Sequence, residues 1–368
     1  VRVREVRTPT DYRRFLEVGD RAVGELGVPL LEPTLRSWLR GTSPHPTGVT
    51  LLLVEDDGRA VGRAVTHRDD AFDAKLGTRA RLFGAVELGA DEVTGRAVLA
   101  CLTTELDQRA RTAGETELIG PVSLLPNQAG GVITSGFEHR GFVDSAWNPE
   151  WVPGLYEEAG YTRWNESDTW IVPTDASAVV PTGAELAAAG ITIQHAHRAE
   201  MSRLLPEVRD LVNASFAQLP YYTMISPAEF AAATDGLAWL VDPRLALIAR
   251  DRAGAAVAFA LVVPDITAFL QRTRGRLGPL QQVRLLLTRS RYRRDAVLII
   301  QGTRPDRQGQ GLLRLLSREL HAGLAAGGYQ RMRSTYVGRD NPASAAQFAR
   351  HGGRPLHGYT FYRRSVTP

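Results

Sequence analysis

The sequence predicts an α/β (α+β) chain of two tandem domains, each a mixed central sheet flanked by helices. Three observations carry this expectation. At 368 residues the chain is long enough to bury two cores. One order of elements, β–α–α–β–β–β–α–β–α–β, is read twice along it. Over 296–328 an apolar strand runs through a glycine-bearing loop into a leucine-striped helix.

The first round opens with a strand at 1–6 and helices near 11–26 and 34–39. Strands at 49–55 and 60–67 flank Asp56-Asp57-Gly58-Arg59, a tight-turn signal, and a third strand covers 79–88. A helix at 92–113 begins on acidic residues, which suit a helix N-terminus. A strand at 117–122, a helix at 149–159 entered through Asn148-Pro149, and a strand at 169–172 complete the round. After Pro173 the composition softens, so 174–190 reads as a linker dividing 1–173 from 191–368.

The second round repeats the order: a strand at 191–195, helices at 200–216 and 227–234, then strands at 245–250 and 255–263 around Asp251-Arg252-Ala253-Gly254. An arginine-rich stretch follows, from Arg272 to Arg294. Its apolar positions (Leu277, Leu280, Val283, Leu285, Leu286, Leu287) predict an amphipathic helix packed on the protein with a solvated arginine face. Next come the strand at 296–300, the loop, and a helix carrying Leu312, Leu315, Leu316, Leu320 and Leu324. A strand at 329–337, a helix from Asn341-Pro342 to Gly352-Gly353 and a strand at 356–363 end the chain.

Composition excludes several classes. Cys101 is the single cysteine, so no intramolecular disulfide forms, and its apolar helical surroundings predict a buried thiol. No apolar run approaches the ~20 residues that span a bilayer. The stretch VRVREVRTPTDYRRF lacks a signal-peptide h-region, and a cytoplasmic protein without membrane association is expected. The net charge is +4 and the pI about 9.4, but the basic residues are scattered and, Lys75 apart, all arginine; no nucleic-acid partner is expected. The histidines show no metal-ligand spacing, so no metal is expected.

The loop Arg304-Pro305-Asp306-Arg307-Gln308-Gly309-Gln310-Gly311 carries the chemistry. A strand feeding a glycine turn at a helix start points backbone N–H groups and the positive dipole end at an anion. Arg304, Arg307 and Arg314 can neutralise further phosphate charge. The loop is neither a P-loop nor a G-x-G-x-x-G fingerprint.

Gln308-Gly309-Gln310-Gly311 resembles the Q/R-x-x-G-x-G/A pyrophosphate loop of the GNAT (Gcn5-related N-acetyltransferase) superfamily, with Leu313 where that family usually has Gly or Ala. The downstream order of elements is that of a GNAT C-terminal half. Ile119-Gly120-Pro121-Val122, Gly136-Phe137, Trp147-Asn148-Pro149-Glu150-Trp151 and Gly160-Tyr161 resemble a group of bacterial tandem-GNAT proteins of similar length.

The resemblance implies an N-acyltransferase that uses acetyl-CoA or another acyl-CoA as co-substrate and a small amine as acceptor, with the second domain catalytic. It assigns Gln301, Gly302 and Thr303 to the pantetheine arm. Arg307, Gln308, Gly309, Gln310, Gly311 and Leu312 fall to the pyrophosphate, and Asn341 to the coenzyme arm. Phe348 stands where a helix tyrosine often protonates the thiolate, so Tyr336 is the substitute acid. The usual glutamate base is missing, leaving Asp340, Glu319 or a water. Tyr221 and Tyr222 are the expected acceptor wall. The first copy has Glu87, Asp91 and Glu92 where a phosphate loop would lie and reads as degenerate, its 123–147 loop a wall of the second domain's cleft. The competing reading is a GNAT fold that binds coenzyme A or another ligand without acetyl transfer. Acceptor identity and oligomeric state are not legible in the sequence.

Overall fold

A computed structural model describes the chain except residues 45–47, 123–129, 176, 235–239 and 367–368. Its first half runs β1 (Arg2–Glu5), α1 (Pro9–Val23), α2 (Glu32–Arg40), β2 (Thr50–Asp56), β3 (Arg59–His67), α3 (Asp70–Leu76), β4 (Ala80–Glu87), α4 (Glu92–Ala113), β5 (Glu117–Gly120), β6 (Val132–Ser135), α5 (Val152–Glu158) and β7 (Thr162–Pro173). A short helix, α6 (Gly183–Ala189), interrupts the expected linker. The second half runs β8 (Ile191–His195), α7 (Met201–Phe216), α8 (Pro227–Thr234), β9 (Ala246–Asp251), β10 (Ala256–Pro264), α9 (Thr267–Thr273), α10 (Pro279–Thr288), β11 (Asp295–Thr303), α11 (Leu312–Ala326), β12 (Arg331–Gly338), α12 (Pro342–Arg350) and β13 (Arg354–Ser365).

Local chemistry accounts for most of the ends. Thr8 and Asp11 form a reciprocal capping box at α1, with a proline in the first turn. At the β2–β3 turn Asp57 and Gly58 both take positive φ (44° and 77°), the backbone of a two-residue hairpin turn. The arginine-rich stretch is two helices, not one. Gly275, at φ 70°, sits so close to Leu30 that an added Cβ would lie 2.2 Å from its carbonyl oxygen, and α10 restarts on Pro279. Leu285 is buried, whereas Leu280 and Leu287 are 76% and 80% exposed, so the expectation that this apolar stripe packs inward holds only in part.

The strands described form one sheet in the order β1-β2-β3-β4-β5-β13-β7-β12-β11-β10-β9-β8, with β6 beside β13. The two halves exchange their last strands. β13 pairs antiparallel with β5 of the first half, Tyr362 facing Gly120. β7 pairs antiparallel with β12 of the second, Trp170 facing Ser334, and also with β13. A division of the chain at 173 therefore does not divide the sheet.

The cores follow the exchange. Tyr362 is buried among Phe83, Leu102, Leu155 and Tyr156 of the first half and stacks on Tyr156 at 4.8 Å. Trp170 and Val172 join the core of α11, β10 and β11, with Trp170 stacked on Phe348 at 5.9 Å. Each half thus completes its apolar interior with aromatic rings from the other.

Candidate functional site

β11 ends at Thr303, a single helical turn spans Pro305–Arg307, and the chain then enters α11 through Gln308–Gly311. Gly309 and Gly311 have φ of 74° and 75°, and a Cβ added to either would meet nothing within 4 Å. Backbone conformation, not crowding, requires glycine at both, and their outer side is open. Gly311 is the N-cap of α11 and no side chain caps it. The Arg314 N–H bonds the Gly311 carbonyl at 3.1 Å, and no side chain answers the amides before it, a state in which a helix start can accept an anion.

The loop is braced from within. Arg304 pairs with Asp306 at 2.6 Å, Arg307 donates to Gln310 Oε1 at 2.8 Å and to the Ala189 carbonyl at 3.3 Å, and Gln308 donates to the Thr303 carbonyl at 3.2 Å. Arg304 and Arg307 therefore shape the loop, while Arg314 is exposed in the first turn of the helix. Leu312 is buried in the core beneath the loop.

β11 and β12 run parallel and pair from Asp295↔Arg331 to Leu298↔Ser334 before separating. Where they part, Leu298 faces Val262 and Ile300 faces Leu261, so Ile299 is an extra residue, a bulge on β11. Thr335 Oγ1 donates to the Ile299 carbonyl at 2.9 Å. Farther out, the amides of Gln301 and Gln347 face each other at 3.4–3.5 Å. Gly302 allows α7 to lie on β11: a Cβ there would be 2.8 Å from Ser215 Oγ, a buried hydroxyl with no hydrogen-bond partner.

Tyr336 projects from β12 toward the first half, its hydroxyl donating to the Gly130 carbonyl at 3.0 Å and its ring edge-on to Tyr359 at 4.8 Å. Burial raises its hydroxyl above the usual phenolic range. Asn341 caps α12, accepting the Ser344 N–H at 3.2 Å. Of the residues considered as base, Asp340 is exposed and Glu319 bonds His195 at 3.0 Å.

The two tyrosines expected to form an acceptor wall are held in different surroundings. Tyr222 is 3% exposed and gives its hydroxyl to Asn213 Oδ1 at 2.7 Å, which makes it part of the framework. Tyr221 packs on Phe361 and joins the cluster of Phe72, Leu82 and Ile119 from the first half. Neither lines the large cavity described next.

A cavity of about 680 Å³ lies between the halves. Ile299 of the β11 bulge forms part of its wall, as do residues 85–89 of β4 and the loop after it. β4 is bulged as β11 is: Gly84 faces Val65 and Glu87 faces Arg63, leaving Ala85 and Val86 opposite one residue. Residues 130–132 and 143–149 also line it, so two stretches of the 123–147 loop reach the cavity while 133–142 do not; Asn127 lies outside the described residues.

Two carboxyl groups line this otherwise largely apolar space. Burial pushes Glu87 up to about 7 against the opposing Arg63 guanidinium at 3.4 Å. Asp144, in a strained conformation at φ 62°, is raised by burial alone. Sequence reading missed Asp144 as a site residue, because nothing local marks a loop aspartate as enclosed. The helix after the β4 bulge ends differently from α11: Asp91 caps α4, accepting the Thr94 N–H and Oγ1–H, each at 2.9 Å.

Among the described residues no group of three or more His, Cys, Asp or Glu is placed to hold a metal ion, and no helix is long and apolar enough to cross a membrane.

No family model matches the chain. At 22% identity it is similar to Protein YghO of Escherichia coli (strain K12) over 317 residues, 84% of this chain and 80% of that one. At the same identity it is similar to a bacterial ceramide synthase of Caulobacter vibrioides (strain NA1000 / CB15N) over 380 residues, 98% and 96% of the two chains. Among solved structures, a tandem GNAT protein from the clavulanic acid biosynthesis pathway superposes with a TM-score of 0.59 at 15% identity, covering 100% of this chain and 98% of its own. A GCN5-related N-acetyltransferase from Sphaerobacter thermophilus gives 0.53 at 15% identity, covering 100% and 96%. These likenesses show the fold, two GNAT units in one chain.

Proposed function

We propose that this chain, which has the tandem GNAT fold, is an acyl-CoA-dependent N-acyltransferase whose second half binds the coenzyme. The observation that carries the reading is the uncapped N-terminus of α11. Its open glycines follow a bulged strand that parts from its parallel neighbour, and this arrangement fits a diphosphate ester with an extended arm. Amides 309–313 receive the diphosphate, and Gln301, Gly302 and Thr303 border the gap that takes the arm. Asn341, at the start of the helix after β12, is available to the arm. The name of one similar protein, a ceramide synthase, accords with this chemistry, since a ceramide is an N-acylated amine.

Bound acyl-CoA supplies an acyl group activated as a thioester. In the transfer a C–N bond forms and the C–S bond breaks; one proton leaves the amine and one reaches the departing sulfur. Tyr336 holds its proton throughout the physiological range and donates it to the sulfur. Asp144, facing the cavity with its carboxyl raised by burial, accepts the amine proton. A carboxylate whose pKa lies nearer neutrality is the stronger base.

The test is acetyl-CoA and longer acyl-CoA titration with a thiol-release assay over an amine panel. Tyr336→Phe and Asp144→Asn are each expected to lower turnover about 100-fold with coenzyme affinity retained. Tight coenzyme binding without thiol release on any amine would favour a coenzyme-binding module.

A further inference from the structure

We propose that the cavity between the halves holds the aliphatic tail of the acyl donor, so that the first half supplies the chain pocket for chemistry performed in the second. This rests on the acyltransferase reading above and adds the class of donor, a long-chain acyl thioester.

The cavity opens beside the strand expected to carry the coenzyme arm. Ile299 is both the bulge residue at which β11 parts from β12 and a wall of the cavity. Gln301 to Thr303 lie on the same strand, toward the diphosphate end. An acyl group attached to an arm lying along those residues reaches Ile299 next and enters the cavity there. A chain carried by the amine acceptor has no such continuity with β11, which is why the donor is the assigned occupant.

The size and lining of the cavity suit an alkyl chain. At about 680 Å³ the space is of the class that encloses a whole small ligand, not a methyl group. The walls are aliphatic and aromatic, with Val263, Leu285 and Leu286 on the second half and Val86, Leu88 and Trp151 on the first. An acetyl donor would leave these side chains without partner atoms, forfeiting dispersion contacts that an alkyl chain would make. A charged tail is disfavoured, because the walls already hold Glu87 in an environment that resists its ionisation.

The first half has a strand gap of its own. β4 and β5 pair in parallel from Ala80↔Glu117 to Leu82↔Ile119, the Val122 N–H adds one bond to the Phe83 carbonyl, and β4 then bulges at Ala85–Val86. The helix beyond is sealed against anions by Asp91. A gap of this kind without a diphosphate site has no use for a coenzyme arm, yet residues 85–89 beside it and Ile299 of the second half line one largely apolar cavity.

The test is calorimetric titration of the full chain with coenzyme A, acetyl-CoA, octanoyl-CoA and dodecanoyl-CoA, the last below its micellar concentration, alongside dodecylamine and dodecanoate. Leu286→Trp narrows the cavity at α10 and Val86→Phe narrows it at β4; thermal melts establish that each variant is folded, and either one suffices. Dodecanoyl-CoA is expected to bind at least about 100-fold more tightly than acetyl-CoA, since each buried methylene adds a severalfold gain. In either variant the ratio of the two affinities falls back toward one. Coenzyme A that binds normally while affinity stays flat across chain length overturns this inference and leaves the acyltransferase reading standing. Dodecylamine that competes for the cavity while acyl chain length has no effect overturns the donor assignment. No affinity for any coenzyme species overturns the acyltransferase reading, and this inference with it.

Discussion

The N-termini of α4 and α11 set the two halves of the molecule apart. Both helices follow a bulged strand, and both strands pair in parallel with the next for a few residues before separating. At α4 the Asp91 carboxylate occupies the helix end, drawn below its ordinary pKa by the Thr94 amide and hydroxyl. At α11 the corresponding residue is Gly311, which leaves the end uncapped. One half has answered the helix dipole with its own anion, and the other presents it to an external one. The two helices are entered differently, α4 from extended backbone at a capping aspartate and α11 through a left-handed glycine, so the likeness of the halves says nothing by itself about their chemistry.

The exchanged strands give the comparison its largest test. A fragment of residues 185–368 lacks β7, the strand lying between β12 and β13, and with it Trp170 and Val172 of the second core. It is expected to show no cooperative thermal transition by circular dichroism. A monodisperse fragment melting with the full chain would show that the second half completes its own fold.

A smaller effect separates the carboxyls. Glu87 rises from an ordinary 4.5 to about 7 on burial, so the folded state binds its proton more tightly than the unfolded chain does. Its contribution is fully present below about 4.5 and is lost as pH climbs through about 7, by at most about 3 kcal/mol. Glu87→Gln is expected to flatten the pH dependence of stability in that window, measured by urea unfolding from pH 4 to pH 8; an unchanged slope would place the titration elsewhere.

The smallest change is expected at the sealed helix. Asp91→Ala removes a cap and should lower Tm slightly, without creating coenzyme affinity, because the loop before α4 has no Gly-x-Gly. A second coenzyme site appearing in this variant, detected as a doubled binding stoichiometry, would mean that the cap alone distinguishes the halves.

What was legible in the sequence was local. The helix at 92–113, the strand at 191–195 and the helix at 227–234 lie where capping, turn residues and periodicity put them. Gly309 and Gly311 were legible because a glycine turn before a leucine stripe is a contiguous signal. The exchange of β7 and β13 was not, since the alternation within a strand does not name its neighbour. Nor could periodicity show that Leu280 and Leu287 would find no partner, or that Tyr222 would turn its hydroxyl inward to Asn213. Asp144 and Glu87 became visible as a pair only when the cavity between two halves distant in sequence enclosed them.

Amide hydrogen exchange with and without coenzyme A, on the intact chain and on Gly311→Asp, decides whether the second half alone offers an anion site. Coenzyme is expected to slow exchange at amides 309–313 and to leave 89–95 unchanged. In Gly311→Asp, a carboxylate set against a phosphate should cost several kcal/mol, at least about 100-fold in affinity, and abolish that protection. Protection at 89–95 with none at 309–313, or undiminished binding by the folded variant, would contradict an anion site confined to the second half.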